Sequence, residues 1–234
     1  MTAVGIGILY FLGLVLGAWL AIFILAYSPL PPFGLPLFSG GFLAGLIGFT
    51  LLPHAIHHYD WRPILFGLVV SILIMALLHP VTHHFSSNYS FSFIAIAIAF
   101  HTIPLCLAIG AIEDPVASGA LTIATILHHI PEAAALTLWV AGRNGSLEKL
   151  FLYFLLLSGI AIISIQAGKE MMIPASLNSV LIGLSIGILL YILQGEVFRR
   201  KPNTLPRKQA IGYTMAGLAV YGALLWLLSF MGIK

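Results

Sequence analysis

The chain of 234 residues is 60% apolar and only 7% charged, with a mean hydropathy of +1.08 and a formal net charge of +3. Soluble domains carry about 25% charged residues, so the composition excludes a water-soluble globule. Long apolar runs without short alternating strands exclude a transmembrane β-barrel. The basic residues lie mainly between apolar runs, which indicates membrane topology rather than nucleic-acid binding. Cys106 is the only cysteine, which excludes an internal disulfide and a cysteine-based zinc cluster.

The sequence divides into eight apolar segments, numbered here as spans 1 to 8. A bilayer core about 30 Å thick requires about 20 apolar residues per helix, and each segment is close to that length. The predicted bounds are 3–27, 38–58, 63–80, 90–111, 117–141, 150–168, 177–198 and 210–231. The predicted fold class is therefore an all-α polytopic membrane protein, with a single transmembrane domain over residues 1–234.

The distribution of lysine and arginine predicts the orientation. The loops after the odd-numbered spans hold seven of these residues and the other side holds three. Cytoplasmic loops are the ones enriched in lysine and arginine, so both termini are expected outside. The N-terminus lacks a basic region and a small-residue cleavage site, so span 1 is expected to be a retained helix rather than a signal peptide.

Glu132 is an acidic residue near the middle of span 5. A carboxylate at that depth costs about 2.5–3.5 kcal/mol on insertion scales, so a proton, a cation or a metal must offset it. His128 and His129 precede Glu132 by four and three residues, which puts them on the same helix face. Pro131 removes a backbone hydrogen bond to the carbonyl of Leu127, which becomes a further candidate ligand.

Span 4 contains a similar motif, a His-Thr-Ile-Pro run that begins at His101. The turn between spans 4 and 5 is short, so the two helices are expected to be antiparallel neighbours. At about 1.5 Å per residue, His101 and His128 would both lie about 15 Å from the outer face. Three imidazoles and one carboxylate suit Zn²⁺, and also Fe²⁺, Mn²⁺, Co²⁺ or Cd²⁺. The predicted metal ligands are His101, His128, His129 and Glu132. The alternative is a set of polar side chains that only hydrogen-bond across helices.

Further polar residues lie near the ends of the spans or beside the central site. The histidines at the ends of spans 2 and 3 have two interpretations: solvated interfacial side chains, or weak metal-capture sites at the two mouths of a pathway. The candidate pathway residues are Thr102, His54, His57, His58, Glu113, Asp114, His79, His83, His84, Gln166 and Glu196.

The motif His128-His129-Ile130-Pro131-Glu132-Ala133 resembles the metal-binding motif of the ZIP (Zrt/Irt-like) divalent-metal transporters. The run from His101 to Cys106 matches that family's preceding helix in part. The resemblance implies eight helices in a 3+2+3 arrangement, with spans 1–3 and 6–8 as inverted repeats around spans 4 and 5. It also implies metal import across the plasma membrane. Leu105 and Ile162 stand where the family has acidic residues, so the resemblance implies one metal site in this chain rather than two.

Two other functions stay open on the same residues. An intramembrane zinc-dependent hydrolase would use the three histidines as ligands and Glu132 as general base. A bis-histidine haem protein would use His101 and His128 as axial ligands. A transporter rather than an enzyme is the favoured hypothesis. Its expected partners are the metal ion as substrate and the lipid bilayer, with a homodimer as a candidate assembly and no nucleic acid.

Overall fold

The computed structural model describes residues 2–27, 34–85, 89–113, 115–141, 145–194 and 206–230. Within these ranges the chain is helical, apart from short turns and helix ends. The helices are α1 (Ala3–Tyr27), α2 (Gly34–Leu46), α3 (Leu52–His58), α4 (Trp61–Phe85), α5 (Tyr89–Ala111), α6 (Pro115–Ala141), α7 (Leu147–Glu170), α8 (Ala175–Ile192) and α9 (Arg207–Phe230). The all-α prediction and the eight helical spans are confirmed. Span 2 comprises α2 and α3, span 4 is α5, span 5 is α6 and span 7 is α8.

The described residues include five helical segments long and apolar enough to cross a membrane. These are Ala3–Tyr27, Gly40–His57, Trp61–Leu78, Leu147–Glu170 and Ala175–Ile192. Large apolar side chains such as Phe66, Leu77 and Ile163 are more than half exposed on the outside of the bundle. Such surfaces are stable in lipid and not in water, as expected for an integral membrane protein.

A π-helical turn over Ile47–Leu51, which was not predicted from the sequence, joins α2 to α3. In this turn the backbone N–H of Leu52 reaches back to the carbonyl of Ile47, one residue further than in an α-helix. The turn immediately precedes Pro53, which has no N–H to donate. The proline therefore gives a physical reason for the change of hydrogen-bond pattern at this point.

Close glycine contacts join the helices in pairs. At several glycines an added Cβ would collide with a carbonyl of the neighbouring helix, so the two backbones touch. The contacts are Gly17 with Ile130 in the α1/α6 pair, Gly41 with Thr214 in α2/α9, Gly183 with Ile64 in α4/α8, and Gly110 with Ile165 in α5/α7. Small residues at membrane-helix interfaces allow this close packing.

Candidate metal site

The site contains two buried imidazoles from different helices. His101 on α5 and His129 on α6 are both 0% exposed. Their ring centroids lie 5.6 Å apart with the ring planes tilted by 54°. Glu132 is close to His129, and its side chain is 8% exposed. The structure therefore brings together three of the four predicted ligands; the side chain of the fourth, His128, lies outside the described residues.

His129 and Glu132 form a hydrogen-bonded pair within one turn of α6. The distance from His129 Nδ1 to Glu132 Oε2 is 2.7 Å. An ionised carboxylate can only accept, so the proton of this bond belongs to Nδ1. In the neutral ring the metal-binding lone pair is then on Nε2. This is the carboxylate–histidine arrangement that orients metal-binding imidazoles in many proteins.

Ser185 on α8 holds the ring of His101 by hydrogen bonding. The Nδ1 atom of His101 lies 2.7 Å from the Ser185 hydroxyl oxygen and 3.2 Å from the Ser185 carbonyl oxygen. The carbonyl can only accept, which favours a proton on Nδ1 and leaves the lone pair of the neutral ring on Nε2. Both imidazoles thus present the same nitrogen for metal binding. Ser185 was not predicted from the sequence, since a serine in an apolar span has no sequence signal that marks it for such a role.

Tyr10 on α1 packs against the imidazole of His129. Its ring meets that of His129 nearly edge to face, with centroids 4.5 Å apart. The hydroxyl of Thr102 donates to the carbonyl of Ile98 over 2.8 Å. The bond of 3.0 Å between the hydroxyls of Tyr10 and Thr102 must therefore be donated by Tyr10. Thr102, a predicted pathway residue, supports Tyr10 in this arrangement. Tyr10 was not predicted from the sequence as part of the site.

The prolines beside the site do not interrupt their helices. Pro104 lies within α5 and Pro131 within α6, and both helices continue through them. Cys106, one turn beyond Thr102, is buried in the main apolar core.

Other predicted pathway residues lie away from the buried pair. Gln166 is exposed, and its side-chain Nε2 donates to Glu170 Oε1 over 2.6 Å near the end of α7. His57 and Glu113 are also exposed, at or beyond the ends of α3 and α5. The remaining candidates are outside the described residues, either as side chains or entirely: His54, His58, His79, His83, His84, Asp114 and Glu196.

The described side chains do not by themselves form a complete metal site. Among them, no group of three or more histidine, cysteine, aspartate or glutamate residues is arranged to hold a metal ion. They supply two imidazoles, and Nδ1 of one of them, His129, is hydrogen-bonded to the carboxylate of Glu132. Completion of a tetrahedral site would require further ligands, such as water or His128.

Comparison with known proteins adds no relative. No protein-family model matches the chain, and no curated protein matches it. The resemblance to ZIP transporters therefore depends on the motifs in spans 4 and 5 and on the number of spans.

Proposed function

We propose that this protein carries a divalent metal ion across the membrane through a site between α5 and α6. His101 and His129 supply the central ligands, and His128 completes the set. The observation that carries the proposal is the pair of fully buried imidazoles, 5.6 Å apart, that belong to two different helices. The resemblance to ZIP transporters supports the same function and adds the direction, toward the cytoplasm.

The chemistry of the pair favours a metal over a simple polar contact between helices. Each imidazole has its Nδ1 atom bound to a partner, Ser185 for His101 and Glu132 for His129. Such partners hold metal-binding rings in one orientation and raise their basicity. Imidazole suits Zn²⁺, Fe²⁺ and Co²⁺, whereas Mg²⁺ and Ca²⁺ prefer oxygen. The proposed substrate is thus a transition-metal ion, with Zn²⁺ first.

Glu132 contributes charge. A divalent ion in the bundle interior loses its water shell, and a negative charge nearby offsets part of that cost. With Oε2 bound to His129, the carboxylate acts on the ion through the imidazole. Transport then requires the site to open first to one side of the membrane and then to the other.

Uptake by proteoliposomes tests the proposal. Purified protein would be reconstituted and supplied with Zn²⁺, Fe²⁺, Mn²⁺, Co²⁺ or Cd²⁺, and flux compared between the wild type, His129→Ala and Thr137→Ala. Thr137 is a matched control because it is also 0% exposed on α6 and its hydroxyl is bonded to the carbonyl of Ala133. We expect flux in the wild type and the control, and its loss in His129→Ala.

Two results would overturn the assignment. Absence of flux for every ion would refute the transport function. Equal flux in His129→Ala and the wild type would show that this site takes no part in transport. A Soret absorption band in the purified wild type would establish the haem alternative instead.

A further inference from the structure

Asn178 on α8 contains a buried oxygen atom without a partner. The residue is 4% exposed, and its side-chain Oδ1 forms no hydrogen bond to any residue that the structure describes. A buried acceptor that is left unsatisfied is destabilising, and a water molecule or an ion can supply the missing partner. Ser179, the next residue, is only 2% exposed, but its hydroxyl has a hydrogen-bond partner because it donates to the carbonyl of Ala175.

Asn178 lies on the same face of α8 as Ser185. The two residues are seven positions apart, so their side chains differ by about 20° in direction around the helix axis and lie about 10 Å apart along it. Gly183 and Gly187 point to the opposite side, where they touch the backbone of α4. Asn178 therefore faces the interior of the bundle, as does Ser185, the residue that holds His101.

The directions of the helices place Asn178 between the site and one end of the bundle. Tyr153 on α7 donates to the carbonyl of Ala95, and Gly110 touches Ile165, so α5 and α7 run parallel. Residues 171–174 turn the chain between α7 and α8, so α8 runs antiparallel to α5. Asn178 is thus displaced from His101 toward the end at which α5 terminates.

We propose that Asn178 is a contact point for the metal ion on its route between that end of the bundle and His101. This inference rests on the proposed transport function. The Oδ1 atom would accept a hydrogen bond from the ion's water shell or bind the ion directly. A neutral amide oxygen is a weak ligand for a divalent ion, and weak binding suits a position that the ion must leave. The route follows the seam between α5 and α8.

Cysteine labelling tests whether water and ions reach this position. Cys106→Ala removes the chain's only cysteine and gives a background for Asn178→Cys and, as the matched control, Ser179→Cys. The protein in vesicles would be treated with a membrane-impermeant methanethiosulfonate cation, with and without Cd²⁺. We expect rapid labelling at position 178 that Cd²⁺ slows at least several-fold, and little labelling at position 179. Equal labelling of both positions, or no labelling at 178 from either side of the membrane, would overturn the inference.

Flux measurements provide a second, independent readout. Asn178→Leu removes the oxygen and keeps a similar volume, whereas Asn178→Asp keeps the oxygen and adds charge. We expect Asn178→Leu to lower Zn²⁺ flux at least several-fold while equilibrium Zn²⁺ binding by detergent-solubilised protein stays within twofold of wild type. Asn178→Asp should retain flux. Unchanged flux in Asn178→Leu, with a transporting wild type, would refute the role of Asn178 and leave the proposed function intact. A wild type without flux would refute the proposed function, and the labelling result would still decide whether ions reach position 178.

Discussion

Nδ1 of His129 and Oε2 of Glu132 form a hydrogen bond of 2.7 Å within a single turn of α6. This contact changes how the only acidic residue near the middle of span 5 is understood. From the sequence, Glu132 is expected to be a metal ligand alongside the histidines. In the structure one of its oxygens is hydrogen-bonded to an imidazole, so under the proposed function it would hold that ring and increase its basicity.

Loss of the carboxylate charge should weaken metal binding without abolishing the fold. Replacement of a hydrogen-bonded partner of a metal ligand typically lowers metal affinity about 10–100-fold. We expect a loss of that size for Zn²⁺ in Glu132→Gln, measured by isothermal titration calorimetry in detergent. Glu148→Gln, at an exposed position in the first turn of α7, is the control and should bind as the wild type does. Unaltered affinity in Glu132→Gln would show that the carboxylate does not act on the metal through His129.

Removal of the Ser185 hydroxyl should have a smaller effect on the same affinity. Ser185→Ala keeps the backbone carbonyl, which lies 3.2 Å from His101 Nδ1, but loses the closer contact of 2.7 Å. We expect Zn²⁺ affinity to fall about 5–20-fold, near the lower end for such partners. The matched control is Ser158→Ala, because Ser158 is a buried serine bonded only to its own helix, at the carbonyl of Phe154. An equal fall in both variants would indicate a general packing effect.

Tyr10 should contribute to stability through its hydroxyl. Tyr10→Phe retains the ring that contacts His129 but removes the donor to Thr102. A hydrogen bond of this kind contributes about 1 kcal/mol, and we expect the free energy of unfolding to fall by about that amount. Unfolding in mixed micelles would be followed by circular dichroism. Tyr27→Phe is the control, since Tyr27 is 77% exposed; if both variants lose the same stability, the bond to Thr102 contributes nothing.

A side chain added at the glycines where two helices touch should destabilise the protein. A Cβ at Gly17 would overlap the backbone carbonyl of Ile130, whereas a Cβ at Gly159 would have no atom within 4 Å. We expect Gly17→Ala to lower the free energy of unfolding by about 1–3 kcal/mol. Gly159→Ala should be neutral or stabilising by up to about 1 kcal/mol, since alanine favours the helix. Thermal unfolding in detergent separates the two, and equal stability would mean that α1 and α6 can move apart at little cost.

The helices could be predicted from the sequence because apolar runs of membrane-spanning length are interrupted by prolines, glycines and charges. The bounds of α5 and α6 are within two residues of the prediction at each end. The π-helical turn before Pro53 could not be predicted, because a proline inside a span can be accommodated in several ways. The pairing of distant helices also depends on tertiary contacts, which hydropathy does not encode.

The candidate site could be predicted only in part, for a similar reason. The matched depth of the histidines followed from residue counts on two adjacent helices, and His101 and His129 do lie together. Ser185 and Tyr10 come from helices whose rotation about their axes the sequence leaves open. Ser185 in particular cannot be told from Ser158 by its sequence context, although one holds an imidazole and the other bonds its own helix.

Side chains of four helices meet at the buried imidazoles: Tyr10 of α1, His101 of α5, His129 of α6 and Ser185 of α8. Glycine contacts join α1 to α6, and they also join α5 to α7 and α8 to α4. Occupation of this point would connect four helices directly, and α4 and α7 through their glycine contacts with two of them. With Zn²⁺ bound, the helices should open locally less often throughout the bundle. Amide hydrogens far from the histidines should then exchange with deuterium more slowly than in the metal-free protein.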